Sequence, residues 1–247
     1  MRTIRSYNKL VNEIINLQIP FRIEIVGYVK YDIIYTMLVI RHVSKTAKKN
    51  VVISSGIHGD EYFAVHVLLK WLQQFNPEIL KDFNFTIFPI CNPFGFAKSS
   101  RKNGARQMVN NSSKFCKDSP VQELAILYDN MPSSPDLYLD IHGDTGKQGV
   151  YAYERTPDGN KSIVAPALLE NDLLLPYEKV GTIYKCKVTD GVIITPAEDV
   201  GLEGVLESVG ATYTIAIELP GKCDGQKRMQ GGIAIINSIL KNLQGIK

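Results

Sequence analysis

The sequence predicts an α/β fold, with a single domain over residues 1–247, a mixed central β-sheet and helices on both faces of that sheet. Two observations predict it. Segments rich in β-branched and aromatic residues alternate along the chain with segments whose apolar residues recur at helical spacing. The composition, 45% hydrophobic and 21% charged, is that of an ordinary globular protein, and no linker-like stretch divides the chain.

The first elements follow from these patterns in chain order. Residues 6–18 have the apolar spacing of a helix, which Pro20 ends, and residues 21–29 and 33–42 have the composition of an antiparallel pair of strands. We expect this N-terminal helix and hairpin, within residues 1–45, to pack on the rest of the domain. A buried strand, a helix and a further strand are then predicted over residues 50–55, 61–75 and 85–91.

The remaining elements are predicted in the same way. Residues 92–120 show little periodicity, and long irregular segments inside a compact domain are usually functional or disordered. Helices are predicted near residues 121–128, 162–174, 201–209 and 230–243. Strands are predicted over residues 136–142, 149–154, 178–199 (as one or two strands) and 212–220. Strands that alternate with helices favour a parallel or mixed sheet covered on both faces.

The composition also excludes some classes of function. Basic and acidic residues nearly balance, 28 against 25, and the largest basic cluster, KTAKK at 45–49, lies between two predicted strands. Nucleic-acid-binding proteins usually concentrate basic residues on one face, so we expect no nucleic-acid partner. No membrane partner is expected either, because no run reaches about 18 apolar residues and the start lacks the apolar core of a secretion signal. The four cysteines form no CxxC pair, which argues against a zinc ribbon or a thioredoxin-like motif. Such sparse use of cysteine is typical of a reducing compartment, so we expect a cytoplasmic protein.

Polar residues that could bind a metal ion stand at the ends of three predicted strands. His58 and Glu61 directly follow one strand, and His142 ends another. Glu218 is an acid inside an otherwise apolar strand, where burial without a partner is costly. Open α/β sheets place their sites at the carboxyl ends of their strands. These four side chains are therefore expected to converge, provided that the three strands are neighbours.

The residue types indicate the chemistry. A catalytic zinc ion has three protein ligands and one open position, and two histidines with one glutamate are a known ligand set. We therefore predict one zinc ion, bound by His58, Glu61 and His142. Glu218 is not needed as a ligand and is predicted to act as the general base and general acid.

Four short motifs occur in a fixed order: HGDE (58–61), NPFGFAKSSRKN (92–103), DIHGD (140–144) and IELPG (217–221). Together they resemble the zinc metallocarboxypeptidase family, the carboxypeptidase A-like enzymes, over about residues 50–245. The resemblance implies a zinc carboxypeptidase-like fold and the metal ligands given above. It also implies that Arg101 stabilises the oxyanion of a tetrahedral intermediate and that Asp140 orients a ligand imidazole.

The chain departs from the family pattern where the substrate's terminal carboxylate is bound. Relatives have an Asn-Arg pair at positions that here hold Asn110 and Asn111. We expect these amides to contact the substrate, although an amide cannot reproduce the two charged hydrogen bonds of an arginine. The family's mobile tyrosine would fall near residues 195–196, where there is none, and Tyr184 and Tyr213 are the candidate substitutes.

Other charged residues could compensate. The missing cation could be replaced by Lys98, Lys102, Arg106 or Lys114. Residues 195–210 contain four acids, which could favour a substrate with an amino group or could simply lie on a solvated helix face. These acids are Glu198, Asp199, Glu203 and Glu207.

Three functions stay open on the sequence alone. The preferred one is a carboxypeptidase-like zinc metallopeptidase that acts on small peptides. The second is an N-acyl amino acid deacylase resembling aspartoacylase or succinylglutamate desuccinylase, although those enzymes generally keep the Asn-Arg pair. The third is a catalytically silent zinc-binding module, against which Glu218 and Arg101 argue, because a binding module has no need of a proton shuttle.

Overall fold

The computed structural model describes residues 7–156, 161–194, 201, 202, 204, 206 and 210–246. Its strands are β1 (Arg22–Lys30), β2 (Ile34–His42), β3 (Lys49–Ser55), β4 (Phe83–Phe88), β5 (Leu137–Asp144), β6 (Tyr151–Arg155), β7 (Val180–Ile183), β8 (Cys186–Thr189), β9 (Val192–Ile194) and β10 (Tyr213–Pro220). Its α-helices are α1 (Tyr7–Ile15), α2 (Tyr62–Gln73), α3 (Pro93–Lys98), α4 (Gln122–Asn130), α5 (Val164–Glu170) and α6 (Gly225–Gln244).

Within the described residues, ten strands form one mixed sheet in the order β1-β2-β4-β3-β5-β10-β6-β9-β8-β7. The four central strands β4, β3, β5 and β10 run parallel, and so do β6 and β9. The other neighbouring pairs are antiparallel. Strand β5 is buried along its whole length, as a parallel strand between two helical layers must be.

Helices cover both faces of the sheet, and β2 shows how. The ring of Tyr35 contacts Tyr7 of α1 on one face. His42 of β2 is an odd number of positions from Tyr35, so its side chain points to the other face. Phe85 of β4 lies opposite His42 in the sheet, and the Phe85 ring contacts Trp71 of α2. Because successive side chains of a strand point to opposite faces, α1 and α2 lie on opposite sides of the sheet. The predicted fold class, an α/β fold with a mixed sheet and helices on both faces, is confirmed.

The N-terminal hairpin is part of the sheet. Strand β2 pairs with β4 from Ile40 to His42, so that β1 and β2 extend the central sheet at one edge. Helix α1 packs against this edge through its apolar face, and the Tyr7 hydroxyl donates a hydrogen bond to the Thr36 carbonyl of β2. The first residues of the chain thereby add to the core that positions the central strands.

Two predicted segments contain more regular structure than the sequence indicated. Residues 92–120, predicted to be irregular, include α3, whose N-cap Asn92 accepts a hydrogen bond from the Gly95 N–H and is followed by Pro93. Six residues are too few to show helical periodicity. In the segment 178–199, the described part forms three strands, β7 to β9, because two tight turns divide it.

The last helix is longer than predicted. It begins at Gly225 and not near residue 230, because the Asp224 carboxylate accepts hydrogen bonds from two N–H groups of the first turn. Neither this helix nor any other among the described residues is long and apolar enough to cross a membrane. The helix predicted over residues 201–209 falls mostly outside the described residues, as does the segment 195–200.

Candidate metal centre

The turn after β3 places His58 and Glu61 at the carboxyl edge of the sheet. The chain leaves β3 through Gly56, whose φ of +66° favours glycine. Gly59 then passes so close to α3 that a Cβ atom would come within 1.8 Å of the Gly95 carbonyl carbon. Glycine is therefore required at Gly59, because any side chain would push the ligand-bearing turn away from α3.

The register of β5, β10 and β6 brings three further side chains together. His142 of β5 lies opposite Glu218 of β10, and Glu218 lies opposite Tyr151 of β6. Residues that are directly opposite in neighbouring strands point to the same face of the sheet. The three side chains therefore form one row beside the turn that carries His58 and Glu61.

His58, Glu61 and His142 form a group that fits one metal ion. Their potential ligand atoms all lie within 4.8 Å of one another, and all three residues are buried. His58 Nδ1 is a buried nitrogen with no hydrogen-bond partner among the described residues, which is costly unless a ligand completes it. Two imidazole nitrogens and a carboxylate oxygen are a donor set that suits zinc.

Asp140 fixes the ring of His142. Its Oδ2 atom lies 2.9 Å from His142 Nε2, and its Oδ1 atom accepts a hydrogen bond of 2.8 Å from the Ser54 hydroxyl. Because Nε2 faces Asp140, Nδ1 is the nitrogen that faces the other candidate ligands, 3.1 Å from Glu61 Oε2. A carboxylate behind a ligand histidine fixes its orientation and raises its basicity.

The charges of these residues are strongly coupled. Burial opposes ionisation of Glu61, but the hydrogen bond and charge of His142, with Arg101, lower its pKa to about 2. Burial also opposes a charged His142, but the Asp140 and Glu61 carboxylates raise its pKa well above the usual value. Burial and the neighbouring His142 lower the pKa of His58 to about 3. Binding of a metal ion would therefore displace the proton on Nδ1 of His142.

Arg101 reaches the same group from the segment after α3. Its Nη1 atom donates a hydrogen bond of 2.7 Å to Glu61 Oε1, and about half of its side chain is exposed. The guanidinium thus lies at the candidate centre, where its partner is a ligand carboxylate. Its role at an oxyanion stays a prediction.

Glu123 is a buried acid that was not identified from the sequence, and it anchors the loop that carries Arg101. Glu123 of α4 accepts hydrogen bonds from the Asn103 side-chain amide, at 3.0 Å, and from the Tyr31 hydroxyl. The Asn103 Oδ1 atom in turn accepts hydrogen bonds from two backbone N–H groups of its own loop. The pairing joins residues twenty positions apart, which local sequence patterns do not reveal.

A cleft of about 400 Å³ opens beside the ligand group. It is lined by Glu61, Arg101, Gly143, Asp144, Thr145, Tyr151, Tyr153, Tyr184 and Glu218. Glu218 is half-buried there. Burial, with the nearby Glu61 and Asp144 charges, raises its pKa to about 8, although His142 opposes this. A divalent cation at the ligand group would lower that pKa by attraction.

Asp144 and Tyr151 are further residues of the cleft that the sequence analysis did not identify. The Tyr184 and Tyr151 hydroxyls donate hydrogen bonds of 2.9 and 3.0 Å to Asp144 Oδ2. Of the two tyrosines considered as substitutes for the family's mobile tyrosine, Tyr184 lines the cleft, whereas Tyr213 is buried in the core. The signal for Asp144 was its position two residues after His142, on the same face of β5.

Asn110 and Asn111 do not line the described part of the cleft. Asn110 Oδ1 accepts a hydrogen bond of 2.9 Å from the Leu202 N–H, and Asn111 Oδ1 accepts one of 2.8 Å from the Ser113 hydroxyl. Asn110 therefore ties its loop to the segment that follows β9. Contact of these two amides with a substrate stays a prediction.

Four basic residues were candidates to replace the family's carboxylate-binding arginine. None of them is among the described lining residues of the cleft: Lys98, Lys102, Arg106 and Lys114. Lys98 forms an ion pair of 2.7 Å with Asp32. Glu198, Asp199, Glu203 and Glu207 lie outside the described residues.

The sheet, the ligand group and the acid beside it define an α/β metal-dependent hydrolase. Residues 47–165 match the sequence model of the succinylglutamate desuccinylase/aspartoacylase catalytic domain, a range that contains His58, Glu61, Arg101 and His142. Over this range, which is slightly less than half of the chain, the protein is similar to that domain, and this confirms the family resemblance of the motifs. A comparison with curated proteins gave no match.

Solved structures share the fold. A candidate metallopeptidase of Shewanella amazonensis SB2B superposes with a TM-score of 0.80 at 24% identity, over 96% of this chain and 92% of that one. A metallo-carboxypeptidase of Burkholderia cenocepacia gives 0.68 at 18% identity, over 96% and 68%. The carboxypeptidase A of Helicoverpa armigera gives 0.61 at 15% identity, over 96% and 71%.

Proposed function

We propose that the protein is a zinc-dependent peptidase of the carboxypeptidase type that hydrolyses an amide bond of small peptides. One zinc ion would be held by His58, Glu61 and His142. The observation that carries the proposal is the position of Glu218, an acid in the same cleft, directly opposite His142 in the sheet and not one of the three ligands.

The side chains supply the remaining functions of a hydrolase. When bound, zinc would polarise a carbonyl and lower the pKa of a water molecule. Glu218 would accept a proton from that water and donate it to the leaving amine, and general acid–base catalysis is most efficient when the pKa lies near the working pH. Arg101, whose Nη1 atom donates to Glu61 Oε1, would donate to negative charge that develops beside the ligand group.

The charge of the cleft favours peptides over polyanionic acyl amino acids. Arg101 is the only Lys or Arg among its described lining residues, and it is already paired with Glu61. Of the positions outside the described residues, 157–160, 195–200, 203, 205 and 207–209 hold no Lys or Arg, whereas Arg2, Arg5 and Lys247 stand at the two ends of the sequence. A compound such as succinylglutamate carries several carboxylates, and each needs a cation or several donors when it is desolvated.

An N-acyl amino acid deacylase is the second candidate. It is supported by the match of residues 47–165 to the desuccinylase/aspartoacylase domain. Both candidates use the same ligand group and the same acid, and they differ in the chemical group on the acyl side of the scissile amide. The substrate screen described next therefore separates them.

The test is a screen of the purified, zinc-loaded protein against dipeptides, short peptides and N-acyl amino acids. We expect turnover of peptides, and a fall in kcat of roughly 10²–10⁴-fold in Glu218→Gln, because this change removes the proton acceptor without removing a ligand. The matched control is Glu170→Gln, a change of the same type at an exposed residue at the end of α5, for which activity should stay unchanged.

Two outcomes would contradict the proposal. Turnover of acyl amino acids without turnover of peptides would assign the protein to the deacylases. A Glu218→Gln variant with normal zinc content and full activity would overturn the assigned role of Glu218.

A cytoplasmic location and the absence of nucleic-acid and membrane partners belong to the same proposal. All four cysteines are free thiols, as in proteins of reducing compartments. Fractionation of cells that express the protein at native level would test this, and recovery with the membrane or extracellular fraction would contradict it.

A further inference from the structure

Asp144 is a buried acid at the edge of the candidate centre that the proposed reaction uses neither as a metal ligand nor in proton transfer. It ends β5, two residues after His142, and lines the same cleft as Glu218. The residue is 9% exposed, so its carboxylate is largely removed from bulk water. A carboxylate in such a place normally has a cationic partner.

The partners of the Asp144 carboxylate in the described structure are neutral donors. Oδ2 accepts from the Tyr151 and Tyr184 hydroxyls, and Oδ1 accepts a hydrogen bond of 2.7 Å from the Gly146 N–H. No Lys, Arg or His in the described part of the chain forms an ion pair with it, and Arg101 is engaged by Glu61. Dipolar donors stabilise the negative charge but do not neutralise it.

The carboxylate also retains room for one more donor. A carboxylate can accept about four hydrogen bonds, and the three protein donors leave one position, on Oδ1. An ammonium group has three N–H donors and no acceptor, so it could use this position and contact the neighbouring tyrosine oxygens as well. The positive charge of the ammonium group would neutralise the Asp144 carboxylate, which has only neutral donors among the described residues.

The placement of Tyr184 indicates that Asp144 is more than a structural anchor. Tyr184 and Lys185 form the turn between β7 and β8 with φ of 47° and 70°, a left-handed conformation that costs energy for residues other than glycine. The turn carries Tyr184 to Asp144 at the cleft, although the residue is 69% exposed. An arginine there would hold the acid more strongly, but it would cancel the charge.

We propose that Asp144 binds a positively charged amino group of the substrate and so makes the cleft prefer cationic peptides over neutral ones. The inference rests on the proposed peptidase function and specifies its substrate class. Asp144 is in this view a specificity-determining residue, whereas the ligand group and Glu218 perform the hydrolysis.

The experiment measures binding and does not need turnover. Zinc-loaded Glu218→Gln protein is titrated by calorimetry with peptide pairs that differ only in lysine against acetyl-lysine, on either side of the amide bond. We expect one pair to show roughly tenfold or tighter binding of the lysine peptide, the usual size of a charge-assisted hydrogen bond. Adding Asp144→Asn should abolish that preference and leave the affinity for the acetyl-lysine peptide within about twofold.

The matched control is Asp129→Asn, on the exposed face of α4, which should leave the preference intact. Equal affinities within every pair would overturn the inference, and so would a preference that survives Asp144→Asn. If Asp144→Asn does not fold, a crystal structure of the complex decides: an ammonium nitrogen within hydrogen-bond distance of Asp144 supports the inference, and one bound elsewhere overturns it.

These outcomes are distinct from a failure of the proposed function. If the wild-type protein hydrolyses no peptide but the lysine preference depends on Asp144, the peptidase proposal fails and the amino-group site stands. If peptides are hydrolysed with equal efficiency whatever their charge, the function stands and the amino-group site is overturned.

Discussion

The molecule buries carboxylates in two regions that use them differently. At the candidate metal centre, Glu61 and Asp140 face the imidazole of His142, and Glu61 also faces Arg101. In the scaffold, Glu123 on α4 faces a hydroxyl and an amide, and Glu154 on β6 faces backbone N–H groups at the start of α5. Depth of burial is similar in the two regions, since all four residues are at most 5% exposed.

The hydrogen-bonding and charged partners of these four acids determine which of them are ionised. Burial opposes ionisation everywhere, but charged partners lower the pKa of Glu61 to about 2 and hold that of Asp140 below its usual value. Burial raises the pKa of Glu123 and of Glu154, because their neutral donors compensate only in part. The centre therefore keeps ionised groups that can bind a cation, whereas the scaffold acids act as hydrogen-bonding anchors.

The largest effect is expected from removing a ligand of the centre. His58→Ala deletes the buried Nδ1 that has no described partner. Mutating a residue that only supports a ligand typically lowers metal affinity by up to roughly 100-fold, so loss of a ligand itself should lower the affinity for zinc by more than that. Hydrolysis should fall to background. The measurements are metal content after dialysis against a zinc buffer, and kcat/KM.

His66→Ala is the matched control for that experiment. His66 lies on α2 with an exposed side chain that contacts the Tyr62 and Phe96 rings, so zinc content and activity should not change. A His58→Ala protein that retains one zinc ion per chain with unchanged affinity would remove His58 from the ligand group.

The metal-binding region was largely predictable from the sequence because its signals are local. His58 and Glu61 are three positions apart after a β-branched strand, and His142 ends another such strand. The alternation of segments predicted the fold class, since strand and helix periodicities differ. The order of the strands, which makes β5 and β10 neighbours, was not predicted and entered only as a condition, because no local pattern gives it.

The scaffold acids and the far side of the cleft were not predictable in this way. Glu123 meets Asn103, and Asp144 meets Tyr184, forty positions later in the chain. Such pairs depend on how loops cross the sheet, and single-sequence periodicity carries no information on that crossing. The short helix α3 was not predicted, because six residues are too few to show helical periodicity. Asn92 and Pro93 are nevertheless typical residues at the start of a helix.

An intermediate effect is expected from the acid behind a ligand. Asp140→Asn should lower zinc affinity by roughly 10–100-fold, because the amide orients His142 Nε2 less firmly and no longer supports a positive ring. In the metal-free protein the pKa of His142 should fall, since the Asp140 carboxylate is what chiefly raises it. Competition with a zinc indicator measures the affinity, and NMR titration of the ring measures the pKa.

Ser54→Ala is the control for Asp140. It removes a neutral donor to the same carboxylate, so the effect on zinc affinity should be smaller than that of Asp140→Asn. If the two variants bind zinc equally well, the charge of Asp140 contributes nothing to the centre, and the contrast between the two regions loses its basis.

The smallest effect, and one confined to stability, is expected from the scaffold. Glu123→Ala leaves the Asn103 amide without its buried acceptor and should lower the free energy of unfolding by about 1–3 kcal/mol, with zinc affinity nearly unchanged. Chemical denaturation followed by tryptophan fluorescence, through the buried Trp71, measures the difference from wild type.

The pH dependence of that difference separates a neutral anchor from an ionised one. The pKa of Glu123 is raised in the folded protein above the ordinary glutamate value of 4.5, so the folded chain binds the proton more tightly than the unfolded chain. The stabilisation by Glu123 should therefore be complete below about pH 4.5 and decline as the pH rises through the raised pKa. A stabilisation that grows with pH would instead show that Glu123 is an ionised acid with a charged partner, like Glu61.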